Sequence, residues 1–260
     1  FELLSTVNND DLQFFHLNQT ISCIAAGKIS LQNTIGIPNS GRPDSLSSRS
    51  SESANNLERS KSRGTRGSVP LLRKRSTKDP LFGAENNSCE VLVIGTKTSI
   101  HVYDIVQNCD LFYKEIPDGA NAVVIGRYGD ICDGNIMLVG GNCAIHGFDR
   151  AGKDVYWTVT GDNITAMALV DIDSDGLNEL VVGSEDYEIH VFKNDAILFE
   201  TTESDCIIHL VALGPGLFGY GLANGTVGVY QANGERVWRI KSKNTPTCLF
   251  GLDVNLDGQI

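Results

Sequence analysis

The sequence predicts an all-β protein made of a repeated four-stranded unit. An apolar strand, a small-residue turn and an alternating strand recur along the chain, and an aromatic residue closes each copy. These aromatic anchors are spaced by 45, 44 and 38 residues, and they are Tyr103, Phe148, Phe192 and Tyr230. The 27 glycines among 260 residues also suit many short strands joined by tight turns.

Each copy contains four short runs with the composition of β-strands. The first runs are residues 21–26, 122–125, 164–169 and 207–211. The second runs are 91–95, 136–140, 180–183 and 220–223, and the third are 100–104, 145–149, 189–192 and 226–230. The fourth runs are 110–114, 154–158, 196–200 and 236–240, and residues 248–250 predict the first strand of a further copy. Asn224-Gly225 is a strong hairpin signal, because both residues tolerate positive φ.

Four short strands in roughly 40 residues are typical of a β-propeller blade. One such sheet cannot cover both of its faces, so each blade buries a face on its neighbour. The sequence therefore predicts a partial β-propeller of about four four-stranded antiparallel blades. Because the chain has no initiator Met and stops inside a recurring motif, we expect residues 1–260 to be part of a longer protein.

Residues 30–88 interrupt the first copy. They are rich in Ser, Asn, Gly, Pro and Arg and show neither a helical nor a strand period. Such a composition cannot bury enough apolar surface to offset the entropy of ordering. We predict a disordered insertion in the loop between the first and second strands. Its basic cluster at residues 73–76 is either a solvated loop or a nuclear, kinase or acidic-partner signal.

An acidic loop joins two strands of the third copy. Asp171, Asp173 and Asp175 alternate and precede Gly176, in the manner of a calcium loop, and the Leu177 carbonyl and Glu179 complete a tentative Ca²⁺ site. An EF-hand is excluded, because Val182 stands at the twelfth position and the flanks are strands. The alternative is a metal-free turn held by Asx hydrogen bonds. A similar pattern returns at residues 253–258.

Charge and cysteine usage exclude several classes of protein. The net charge of −11 argues against nucleic-acid binding, which needs a basic face. Seven cysteines without a C-x-x-C spacing indicate neither a disulfide framework nor a zinc site, and they favour a reducing compartment.

Catalytic motifs are absent from the sequence. We find no G-x-S-x-G, H-E-x-x-H, P-loop or G-x-G-x-x-G pattern, so we assign no catalytic and no cofactor-binding residue. His101, His146 and His190 hold one place in three successive copies. We interpret them as a repeated strand position and not as a metal triad, because equal positions of adjacent blades lie far apart.

Several longer runs carry a family resemblance. They are residues 18–23, 110–113, 118–122, 140–144, 157–163, 182–186, 224–230 and 238–244. Together they span nearly the whole chain outside the insertion, and the chain resembles the Bardet–Biedl syndrome 2 family of BBSome subunits. The Ser/Arg-rich insertion departs from the family pattern.

The resemblance implies a seven-bladed N-terminal propeller, of which this chain holds about four blades. It implies a non-enzymatic scaffold subunit of the BBSome, a coat-like complex that moves membrane proteins to and from the primary cilium. The implied partners are the Bardet–Biedl syndrome 7 and 9 proteins and, through the complex, ciliary membrane cargo. The implied locations are the cytoplasm, cilium, ciliary membrane, basal body and centriolar satellites. We assign no required cofactor, and the acidic loop at residues 171–179 is a candidate site for a structural Ca²⁺.

Two other functions stay open at this level. An extracellular integrin-type adhesion propeller would use the two Asp loops to bind Ca²⁺ and would need paired cysteines. A quinoprotein-like enzyme has only Trp157 and Trp238 in its favour, and both residues equally suit buried strand packing.

Overall fold

The computed structural model describes residues 19–30 and 88–253, where all regular secondary structure is β-strand. The first blade contains β1 (Ile21–Ser30), β2 (Ser88–Thr96), β3 (Ser99–Asp104) and β4 (Cys109–Glu115). The second contains β5 (Ala122–Gly126), β6 (Ile136–Gly140), β7 (Ala144–Phe148) and β8 (Asp154–Val159). The third contains β9 (Ile164–Val170), β10 (Glu179–Ser184), β11 (Glu188–Lys193) and β12 (Ala196–Thr202). The fourth contains β13 (Ile207–Ala212), β14 (Leu217–Leu222), β15 (Thr226–Gln231) and β16 (Arg236–Lys241).

Every blade is an antiparallel meander whose strands lie in chain order. The first strands of successive blades contact one another, so β1 lies beside β5, β5 beside β9 and β9 beside β13. Apolar residues between adjacent blades form three buried clusters, each of which draws on two neighbouring sheets. The predicted all-β, partial propeller of four antiparallel blades is confirmed.

Residues 31–87 connect two strands of one sheet. β1 and β2 are paired from Ile21 opposite Thr96 to Ser30 opposite Ser88. Ser30 and Ser88, the end residues of the predicted insertion, belong to these strands. The prediction of disorder for residues 30–88 falls on residues 31–87, which lie outside the described part of the chain.

The aromatic anchors occupy one structural position in all four blades. Each is at least nine-tenths buried. Each also follows a register shift between the third and fourth strands, at Val102/Tyr103, Gly147/Phe148, Val191/Phe192 and Val229/Tyr230. A β-bulge bends its strand and changes the direction in which a side chain points. The recurring anchors of the sequence therefore mark a recurring bulge.

A glycine near the end of the second strand recurs with the anchors, as Gly95, Gly140, Gly183 and Gly221. A Cβ on Gly95 would lie 2.8 Å from the Cβ of Ala120, and a Cβ on Gly140 would lie 2.7 Å from Cγ2 of Ile164. On Gly183 it would lie 2.5 Å from Cγ2 of Ile207. Ala120, Ile164 and Ile207 each belong to the segment that enters the next blade, although a Cβ on Gly95 would also lie 2.5 Å from Sγ of Cys23 in its own blade. The glycine thus permits adjacent blades to approach closely.

Two details of the sequence analysis are wrong. Residues 248–250 were expected to form a strand, but residues 242–253 contain none. An isolated strand has no ladder partner to satisfy its backbone groups, and none of the described strands pairs with this segment. Trp157 and Trp238 are not buried, since 60% and 47% of their surfaces are exposed on outer strands.

Among residues 19–30 and 88–253 there is no helix that could cross a membrane.

Candidate metal centre

The predicted calcium loop connects β9 to β10 in the third blade. Asp171 follows the last residue of β9, and Glu179 is the first residue of β10. Both strands are buried at this end, which leaves the intervening loop at the rim of the sheet. Ser174 and Gly176 adopt positive φ values of 61° and 87°, and these values give the loop its tight bend.

Local hydrogen bonds shape the loop from within. Asp171 Oδ1 accepts the amide of Asp175 at 3.1 Å, and Asp171 Oδ2 accepts that of Gly176 at 3.0 Å. Asp175 Oδ1 accepts the amide of Leu177 at 2.8 Å. These contacts are the Asx pattern of the metal-free alternative. They occupy one lone pair of each acceptor oxygen and leave others for a cation.

Three of the five predicted ligands converge. Oxygens of Asp171, Asp173 and Glu179 all lie within 4.8 Å of one another. Oxygens around one Ca²⁺ at 2.3–2.6 Å from it can be separated by up to about 5 Å, so this spacing fits the ion. Asp175 lies outside the convergent group, and the structure gives no contact for the Leu177 carbonyl that would bring it in. Of the predicted ligands, the carboxylates of Asp171, Asp173 and Glu179 therefore fit a Ca²⁺ site, and they come from the two ends of the loop.

A side chain that the sequence analysis missed carries a positive charge into the loop. Lys193 ends β11, and its Nζ forms ion pairs with Asp173 and with Asp175, the latter at 2.6 Å. The same Nζ lies 3.4 Å from Oε1 of Glu179. In an antiparallel meander the first and third connections lie at the same end of the sheet, so the turn after β11 is adjacent to the loop after β9. The adjacency of these two connections was the feature that could have identified Lys193 as a neighbour of the acidic loop.

Burial and charge shift the pKa values of this group. Glu179 is fully buried, and desolvation raises its pKa although the amide of Ile172 and the ammonium of Lys193 oppose the shift. Oε2 of Glu179 accepts that amide at 2.7 Å, whereas Oε1 forms no hydrogen bond. Hydrogen bonds to Asp173 and Asp175 raise the pKa of Lys193, and the one from Lys193 lowers the pKa of Asp175. The ammonium therefore stays charged in the loop.

The loop also holds the third blade to both neighbours. The side-chain amide of Asn178 donates to the Arg127 carbonyl at 2.9 Å, and the backbone carbonyl of Asn178 accepts from the Gly129 amide at 3.0 Å. Arg127 and Gly129 both belong to the second blade. On the other side, the Gly216 amide of the fourth blade donates to the Asp171 carbonyl at 2.7 Å. The geometry supports a structural function, because hydrogen bonds from the loop connect three blades.

The three repeated histidines pair with separate carboxylates. His101 lies 2.7 Å from Asp110, His146 3.2 Å from Asp118, and His190 3.3 Å from Glu188. The metal-ligand group found in the described residues includes none of these histidines. The second Asp loop begins at Asp253, and its remaining residues lie outside the described part of the chain.

Comparisons with known proteins identify the family. The profile "Ciliary BBSome complex subunit 2, N-terminal" matches residues 48–126, and "Ciliary BBSome complex subunit 2, middle region" matches residues 166–260. The N-terminal match begins inside the segment that the sequence analysis set apart from the family pattern. The two profiles together match about two thirds of the chain.

Curated relatives agree with the profiles. The mouse "BBSome complex member BBS2" is 52% identical over 169 residues, which are 65% of this chain and 23% of that protein. The human protein of the same name is 50% identical over 169 residues, again 65% and 23% of the two chains. The match therefore spans less than a quarter of the length of these relatives.

Solved structures add a likeness of fold alone. A chain from "Crystal structure of BBS1N in complex with ARL6DN, soaked with lead" superposes with a TM-score of 0.51 at 18% identity. The superposition covers 61% of this chain and 51% of the other. The fold likeness carries no family assignment, whereas the two profiles and the curated relatives together show that the chain belongs to the family of ciliary BBSome complex subunit 2.

Proposed function

We propose that the chain is part of a non-enzymatic scaffold subunit of the BBSome, the coat-like complex that carries membrane proteins to and from the primary cilium. Family membership is the observation that supports this function. The fold agrees with it, because stacked sheets present broad faces and loops to partners. The proposed incomplete N-terminal propeller comprises residues 1–260, with residues 30–88 as an insertion. The proposed locations are the cytoplasm, cilium, ciliary membrane, basal body and centriolar satellites.

A tagged full-length protein isolated from ciliated cells tests the scaffold function. We expect mass spectrometry to recover other BBSome subunits, with the Bardet–Biedl syndrome 7 and 9 proteins as the direct contacts and membrane cargo bound through the complex. Untagged cells provide the control. Recovery of the intact protein without any other subunit would contradict the proposal, and a signal peptide with paired cysteines would favour the extracellular adhesion alternative.

We also propose a structural role for the acidic loop, in which Ca²⁺ and the Lys193 ammonium compete for the same carboxylates. Three converging carboxylates support the cation site, and the ion pairs of Lys193 with Asp173 and Asp175 support the competition. Removal of one positive charge a few ångströms from the ligands favours binding of a divalent cation. The site requires no ion while Lys193 occupies it.

Lys193→Met is expected to increase the affinity for Ca²⁺ by about tenfold or more, because Met keeps the length of the side chain without its charge. Calorimetric titration of the full-length protein measures the affinity. Lys153→Met removes an exposed lysine that precedes β8 and is expected to change nothing. Equal affinities for Lys193→Met and Lys153→Met would refute the competition, as would full Ca²⁺ binding by Lys193→Met in combination with Asp173→Asn.

A further inference from the structure

The outer strand of the fourth blade is a free sheet edge among the described residues. In the sheet order β13-β14-β15-β16, β16 pairs with β15 alone among the described strands. Half of the backbone donors and acceptors of an edge strand point away from its sheet and are open to another chain.

Charge distinguishes β16 from the other three outer strands. β4, β8 and β12 each have a net charge of −1, whereas β16 contains Arg236, Arg239 and Lys241 and no acid. Lys243 follows two residues later. The described residues hold eleven Lys or Arg against twenty-three Asp or Glu, so four of their cations fall within eight positions of an acidic body.

Most of these cations have no acidic partner in the described part of the chain. Arg236 forms an ion pair with Glu203 at 2.7 Å. Neither Arg239 nor Lys241 forms an ion pair or a side-chain hydrogen bond with a described residue. Both lie on one face of β16, because they are two positions apart. Trp238 and Ile240 lie on the other face, which corresponds to the face that β12 presents to its neighbour, since Phe199 of β12 stands opposite Val191 as Trp238 stands opposite Val229, and Phe199 packs on Phe218 of the fourth blade.

A cavity of about 320 Å³ adjoins the basic face. Arg239, Ile240 and Lys241 line it together with Ser204 and Thr226. Asn224 fixes the two hydroxyl groups, since its Nδ2 donates to Ser204 Oγ at 3.2 Å and its Oδ1 accepts from the Thr226 hydroxyl at 2.7 Å. Two cations beside fixed hydroxyl groups suit a carboxylate.

We propose that β16 binds an extended acidic peptide of a partner protein, which adds to the fourth blade as a fifth strand and places one carboxylate in this cavity. Side chains of a strand alternate between two faces, so acidic residues at alternate positions of the peptide would meet Arg239 and Lys241. A second copy of β16 is disfavoured, because three cations would oppose three cations. A broad anionic membrane would face the acidic body, whereas a narrow peptide meets only the basic strand.

Fluorescence anisotropy with the full-length protein and a labelled octapeptide of alternating Glu and Val tests the proposal. We expect saturable binding that weakens as NaCl rises. Arg239→Glu/Lys241→Glu is expected to weaken binding by about tenfold or more. Lys97→Glu/Lys153→Glu makes the same charge change on exposed lysines of the first two blades and is expected to stay within about twofold.

Two further measurements separate strand addition from simple charge attraction. A peptide with alternate N-methylated amides keeps the glutamates but cannot complete the ladder, so its binding is expected to be lost. If Arg239→Glu/Lys241→Glu does not fold, Arg239→Gln/Lys241→Gln replaces it. Equal binding by the basic-strand and control variants would overturn the proposal. So would full affinity of the N-methylated peptide, or binding to phosphatidylserine vesicles in place of the peptide.

Discussion

Arg236→Met is expected to lower the free energy of unfolding by about 3 kcal/mol, because it leaves a buried carboxylate without its cation. The side chain of Glu203 is 1% exposed, and its Oε1 accepts hydrogen bonds from Arg236 at 2.7 Å and from the Tyr230 hydroxyl at 2.5 Å. Breaking a buried pair costs about 3–5 kcal/mol, and we take the lower value since Arg236 itself is 32% exposed. Urea unfolding followed by the fluorescence of Trp238, on the same strand, measures the change.

Arg239→Met is the matched control. It makes the same substitution on the same strand, but Arg239 has no carboxylate partner among the described residues, so a change within about 0.5 kcal/mol is expected. Glu203→Gln added to Arg236→Met removes the unpaired charge while Gln still accepts from Tyr230. We expect the double variant to recover about 1 kcal/mol or more. Equal losses for Arg236→Met and Arg239→Met would show that the ion pair contributes nothing.

The blades were predictable because their signals are local. Apolar runs, Asn224-Gly225 and the four aromatic anchors each depend on a few consecutive residues, and the strands were found within a few residues of their observed ends. The bulge before each anchor has no such signal, because it is a property of the pairing between two strands. The pattern indicated where the anchors lie but not how the backbone places them.

The charged contacts were not predictable from spacing. Lys193 lies 20 residues after Asp173, and Arg236 lies 33 residues after Glu203. Lys193 and Asp173 meet because two loops of the third blade lie at the same end of its sheet. Arg236 and Glu203 meet because β16 begins in the fourth blade near the segment that follows β12. The acidic loop could be predicted from its alternating carboxylates, whereas its internal cation required the strand order. The antiparallel blades were predicted, but the order of the strands within each blade comes from the structure, and with it the position of Lys193.

Gly183→Ala is expected to destabilise the protein by about 2–3 kcal/mol, because a Cβ there overpacks the contact between the third and fourth blades. It would lie 2.5 Å from Cγ2 and 2.7 Å from Cβ of Ile207, which is fully buried. Since Ile207 is β-branched, its side chain cannot rotate away cheaply, and the sheets themselves must separate. Gly183 has no positive φ, so the expected cost is steric and not conformational.

Gly161→Ala isolates this steric cost. Gly161 also lacks a positive φ, and a Cβ there would meet only Oδ2 of Asp186 at 3.6 Å, which is an ordinary contact. Thermal unfolding of the full-length protein should therefore show a clear fall in midpoint for Gly183→Ala and little change for Gly161→Ala. Ile207→Ala combined with Gly183→Ala should cost less than the sum of the single changes, because the smaller side chain relieves the overlap. Strict additivity, or equal midpoints for the two glycine variants, would mean that adjacent blades do not depend on this close approach.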